Sequence, residues 1–161
     1  MPVANRIEEV RNEISAIAAQ AASGADLMQT LVKLLHDRML KYNWVGFYML
    51  EAGAQPPMLA LGAFNGAMTP HTRIPLNQGI CGAAASSGQT IVIDDVTKDT
   101  RYLACSLETK SEIVVPIFVH GVVAGELDID SHFPAAFAAE DRDLVQHCAA
   151  LVGKKLEDSG R

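Results

Sequence analysis

The chain has 161 residues, with 13 Lys+Arg against 19 Asp+Glu for a formal net charge of −6, and 49% of it is hydrophobic. That length and composition fit one globular domain, 1–161, able to form a core without disulfides or a structural metal, and are far from those of a disordered chain. The acidic balance, with no Lys/Arg block, argues against nucleic acid and anionic membrane surfaces, both of which are bound by neutralising phosphates.

Val3, Ile7, Val10, Ile14 and Ile17 recur at alternating three- and four-residue steps, which predicts an amphipathic first helix. Its stripe can pack on its own domain or on a second subunit of a homodimer. After Ser23, Gly24 and Asp26, a second helix is marked by Leu27, Leu31, Leu34, Leu35 and Met39, so that helices fill 1–41. Residues 43–50 and 58–64, separated by Gly53, Pro56 and Pro57, predict an antiparallel strand pair. The stretch from Gly79 reads as a short helix packed through small residues, and 90–93 as a brief strand. Residues 94–110 are polar and aperiodic, a long loop with room for one helical turn; loops of this length in compact domains are often functional.

Two strong strands, 112–119 and 122–130, are joined by His120-Gly121, a tight hairpin signal. The last helix, 139–158, has Glu140, Asp141 and Asp143 in its first turns, where the helix dipole favours acids. The order predicts an α+β fold in which helices flank an antiparallel sheet over 42–138. The longest apolar run, 113–119, falls far short of the ~20 residues that span a bilayer. The N-terminus has no apolar signal core, so a cytoplasmic location is expected.

Cys81, Cys105 and Cys148 are odd in number and lack zinc-ligand spacing, so neither a disulfide scaffold nor a metal site is expected. Cys148 shares a helical face with Leu144, Leu151 and Val152 and reads as core, with His147 beside it at the surface. Cys105 lies in the polar loop near Arg101 and Lys110, cations that favour a thiolate; its position alone leaves reactive and inert readings open. Cys81, between Gly79 and Gly82, reads by itself as a small packing residue.

Strand alternation places Trp44, Gly46 and Tyr48 on one face, with a gap at the glycine where a small ligand could approach. It also places Glu126, Asp128 and Asp130 together. Those acids form either a solvated outer face or a set that holds a cation such as an ammonium, or shares protons.

The pieces NWVGFY (43–48), RIP and GICG (73–75 and 79–82), ACS and SEIVVPI (104–106 and 111–117) and GELDIDS (125–131), in this order and spacing, resemble the GAF domain, specifically the free methionine-(R)-sulfoxide reductases. The resemblance implies a GAF fold with the N- and C-terminal helices packed together. It also implies reduction of free methionine sulfoxide with no bound cofactor, recycled by thioredoxin or a similar dithiol. Cys105 matches the family's nucleophile and Cys81 one of its auxiliary cysteines. Glu112, Asp128 and Asp130 match its substrate-binding carboxylates, and Trp44 and Tyr48 its aromatic wall. Two positions depart from the pattern: His71 replaces the other auxiliary cysteine, and Glu126 stands where many members are apolar. The alternative is a GAF module that binds a small ligand without turning it over.

Overall fold

The computed structural model describes residues 3–102 and 107–159. Cys105 lies outside the described residues. Two helices, α1 (Val3–Gln20) and α2 (Gly24–Arg38), lead into strands β1 (Trp44–Leu50), β2 (Met58–Asn65) and β3 (Arg73–Pro75). Helix α3 (Gly79–Ser87), strand β4 (Ile91–Ile93) and a single 3-10 turn at Val96–Lys98 follow. The chain closes with β5 (Ser111–Val119), β6 (Val122–Ser131) and α4 (Ala139–Asp158).

Every strand pairing is antiparallel, in the order β3-β2-β1-β6-β5-β4. The expected five strands become six, because Arg73–Pro75 pairs with β2; three residues ending in proline carry no alternation to detect. The β5–β6 hairpin turns at His120 and Gly121 with φ of 51° and 77°, as a type I′ turn requires.

One face of the sheet carries the main core. Val45 and Phe47 of β1, Ile113, Val115 and Ile117 of β5, and Leu127 and Ile129 of β6 bury against α1, α2 and α4. The α1 stripe is used within the chain, since Ile7, Val10 and Ile14 are buried in that core with α4's Leu144, Val145, Cys148 and Val152. The terminal helices therefore pack together, as expected. Ser23 caps α2 by accepting the Asp26 amide at 3.1 Å. Asp141 accepts the Ala138 amide at the start of α4 and the Tyr42 hydroxyl at 2.6 Å, which ties that helix to the chain entering β1. No described helix is long and apolar enough to cross a membrane.

The opposite face of the sheet carries a second, smaller core. Trp44, Tyr48, Leu59, Ile74 and Val114 pack beneath α3, which contributes Ile80, Cys81, Ala84 and Ala85. A Cβ at Gly82 would stand 2.8 Å from the Leu76 carbonyl oxygen, so α3 sits against the chain leaving β3 only because this residue is glycine. This small-residue helix closes the face on which the acids lie.

Candidate active site

Cross-strand register assembles the site. Trp44 of β1 lies opposite Asp130 of β6, which lies opposite Glu112 of β5. The next rows on the same face are Gly46, Asp128 and Val114, then Tyr48, Glu126 and Pro116. Three central strands thus bring four carboxyl groups and two aromatic rings together.

The acids are not a solvated outer face. Glu112, Glu126, Asp128 and Asp130 are 5%, 0%, 3% and 3% exposed, so even Glu126 does not turn to solvent. Burial opposes the charged form and is the first cause that raises all four carboxyls. It pushes Glu112, Glu126 and Asp130 well above the usual carboxylate range, with Asp128 the leading like charge beside each. Among the described residues, both oxygens of Glu126, Oδ1 of Asp128 and Oδ1 of Asp130 have no hydrogen-bond partner. A buried set of this kind stores protons and offers negative charge to an incoming cation.

Cys81 faces this set from α3. Its Sγ donates to Asp128 Oδ2 at 3.3 Å. Burial, and then the neighbouring Asp128, Glu126 and Glu112, hold its thiol well above the ordinary range. The thiol is a donor at neutral pH and poorly nucleophilic unless its proton is taken. Cys81 Sγ and one carboxylate oxygen each from Glu112 and Asp128 lie within 4.8 Å of one another, the grouping able to hold a metal among the described residues.

The aromatic wall is built by packing. Trp44 stacks on Phe64 with ring centres 5.9 Å apart, approaches Tyr48 at 6.2 Å, and donates its indole N–H to the Ala67 carbonyl at 3.0 Å. Its ring covers Gly46, where a Cβ would collide with it. The gap expected at Gly46 is therefore filled from within the chain, because a tryptophan two residues away on the same strand face lies across a residue without a side chain. Tyr48 donates to the His71 carbonyl at 2.7 Å, which fixes the segment that leads into β3.

Two small cavities flank the acids. One of about 20 Å³ is lined by Tyr48, His71, Cys81, Glu112 and Asp128. The other, about 100 Å³, is lined by Trp44, Thr69, Glu108, Thr109, Asp130 and His132. On one side of residues 103–106, Tyr102 packs against the second core; on the other, Glu108 and Thr109 line the larger of these cavities.

The GAF domain family model matches residues 24–156. A free methionine-R-sulfoxide reductase of Escherichia coli is 33% identical over 92% of this chain and 87% of its own length. The Neisseria meningitidis free methionine-R-sulfoxide reductase, solved in complex with its substrate, superposes with a TM-score of 0.88 at 32% identity, covering 96% of this chain and 90% of that one. A type II free methionine-R-sulfoxide reductase from Thermoplasma acidophilum is 38% identical, with a TM-score of 0.78 over 84% of this chain and 93% of that one. The chain is a GAF domain of the free methionine-R-sulfoxide reductase family.

In this GAF domain, the residues singled out from sequence, Trp44, Tyr48, Cys81, Glu112, Asp128 and Asp130, converge on one sheet face under α3. Cys148 is fully buried in the main core, where burial pushes its thiol up to about 12. His147 lies half-buried at the surface, with its Nε2 2.9 Å from Ser15 Oγ. Phe64 was not legible as part of the aromatic wall. It pairs with Gly46 across a β1–β2 ladder whose register shifts between Gly46 and Tyr48, so alternation along β2 alone does not reveal what it stacks on.

Proposed function

We propose that this protein reduces free L-methionine-(R)-sulfoxide to L-methionine, with Cys105 as the nucleophile and a thioredoxin-like dithiol as the reductant. The observation that carries this is the buried carboxyl set Glu112, Asp128 and Asp130 beside Trp44 and Tyr48. Its support is the kinship with enzymes named as free methionine-R-sulfoxide reductases.

The chemistry accounts for the residue types. The Cys105 thiolate attacks the sulfoxide sulfur while a neutral carboxyl protonates the oxygen, which passes to Cys105 as a sulfenic acid and leaves the thioether methionine. Carboxyls raised by burial hold their protons to higher pH than free carboxyls do and can supply that proton. The negative charge that remains on the set holds the substrate's α-ammonium. The Trp44 and Tyr48 rings suit the methylthio end. Cys81 then attacks the sulfenic sulfur, its proton passing to Asp128, which already accepts its hydrogen bond, while the carboxyl set returns one proton to the departing hydroxyl oxygen. The products are a Cys81–Cys105 disulfide and water, and two electrons from the external dithiol restore both thiols.

A coupled NADPH assay with thioredoxin and its reductase, run on both epimers, tests this. Consumption confined to the R epimer and abolished in Cys105→Ser is expected; equal rates in wild type and Cys105→Ser would refute it. Peptide mapping after one turnover reads the second step: a Cys81–Cys105 disulfide is expected, and a persistent sulfenate refutes Cys81 as the resolving thiol. His71, at an auxiliary cysteine position, favours the alternative of a ligand-binding GAF module. Tight binding of methionine sulfoxide without consumption would establish that reading instead.

A further inference from the structure

We propose that Cys81, Glu112 and Asp128 also form a binding site for a thiophilic divalent cation of the Zn²⁺ class. Three potential ligand atoms, Cys81 Sγ and one oxygen from each carboxylate, lie within 4.8 Å of one another. Tetrahedral zinc, with bonds of about 2.0–2.3 Å, sets its ligand atoms roughly 3.5 Å apart. The Cys81 Sγ to Asp128 Oδ2 distance is already 3.3 Å. All three residues line the cavity of about 20 Å³, the volume of a water-sized group.

Two further observations call for a positive charge there. Asp128, 3% exposed, has its Oδ1 without a partner among the described residues. Glu126, which is not one of the three ligands and is 0% exposed, lies on the same strand face with both oxygens unpartnered among the described residues. An ion at the centre offsets these desolvated oxygens, Glu126 contributing negative charge beside the three ligands.

One soft thiolate with two carboxylates selects Zn²⁺, Co²⁺ or Cd²⁺ over Ca²⁺ and Mg²⁺, which take all-oxygen shells. Binding displaces the thiol proton and any protons held by the two carboxyls, so affinity rises with pH, about tenfold per unit for each proton displaced. The occupied site excludes an ammonium from Glu112 and Asp128 and immobilises Cys81. The cation therefore acts as a reversible inhibitor, a consequence that rests on the function proposed above.

Co²⁺ is the probe, titrated anaerobically into the reduced wild-type chain and into Cys105→Ser. One equivalent producing a near-ultraviolet thiolate-to-cobalt absorption in both, bleached by Zn²⁺, is expected. Cys81→Ser should abolish the absorption and weaken Zn²⁺ binding about 100-fold or more. No such absorption in the wild-type protein, or one that survives in folded Cys81→Ser, would overturn the proposal without recourse to any activity. Free methionine is expected to displace the metal. Persistent binding under saturating methionine would leave the cation site standing and refute instead the assignment of the ammonium to Glu112 and Asp128.

Discussion

Glu126 offers the sharpest test of how burial sets protonation. Its carboxyl is fully buried, has no hydrogen-bond partner on either oxygen among the described residues, and is raised well above its ordinary range by desolvation, with the nearby Cys81 thiol opposing the rise and Asp128 adding to it. In the unfolded chain it ionises near pH 4.3. Between that pH and its folded value, the native state therefore holds one proton that the unfolded state has lost. The sign follows: the native state binds more protons, so stability is complete below about pH 4.3 and declines as pH rises toward the folded value. While the pH lies between the unfolded and folded values, each such carboxyl removes about 1.4 kcal/mol per pH unit. Glu126→Gln keeps the shape and eliminates the titration. Urea unfolding at pH 5, 6, 7 and 8 should show the variant gaining on wild type as pH rises, with a slope of up to about 1.4 kcal/mol per pH unit and m unchanged. Parallel pH profiles for the two proteins would refute the reasoning, as would wild-type stability that climbs across this range.

Gly46→Ala forces the Trp44 ring off its seat, so it should destabilise the fold by about 1–3 kcal/mol and raise KM for the sulfoxide more than it lowers kcat, read by urea unfolding and steady-state kinetics. Tyr42→Phe removes the 2.6 Å bond to Asp141 and should cost about 1–3 kcal/mol in the same denaturation assay, with activity at 25 °C unchanged. Cys148, its thiol pushed up to about 12, should not react with a disulfide reagent at pH 8 in the folded chain, and Cys148→Ala should retain full turnover while losing about 1 kcal/mol of stability.

Much of the fold is local and was legible for that reason. The 3-4 spacing of Ile7, Val10 and Ile14 fixes a helix and its buried face, and His120-Gly121 fixes a hairpin, but the β5–β6 register shifts by one residue between Ile117 and Phe118, and it is this irregularity, invisible in the turn signal, that sets Glu112 opposite Asp130. Period-two alternation put Trp44, Gly46 and Tyr48 on one face and Glu126, Asp128 and Asp130 on another, and the register then made those two faces one. Strand β3 escaped because three residues are too few to show a period.

The sequence by itself therefore determined which side chains share a face, since alternation is a property of the backbone. Only the tertiary structure decided what that face is. Alternation is the same for a strand wet on one side as for one covered on both, and what covers the acids is α3, some 30 to 50 residues earlier in the chain. Because that helix is made of small residues, it sits close enough to take Asp128 and Glu126 out of water and bring Cys81 within hydrogen-bond reach. The net charge of −6 argued against polyanionic partners from a distance. The same acidity, enclosed by α3, becomes a set of proton-holding carboxyls, because desolvation depends on what packs above a residue and not on its neighbours in sequence.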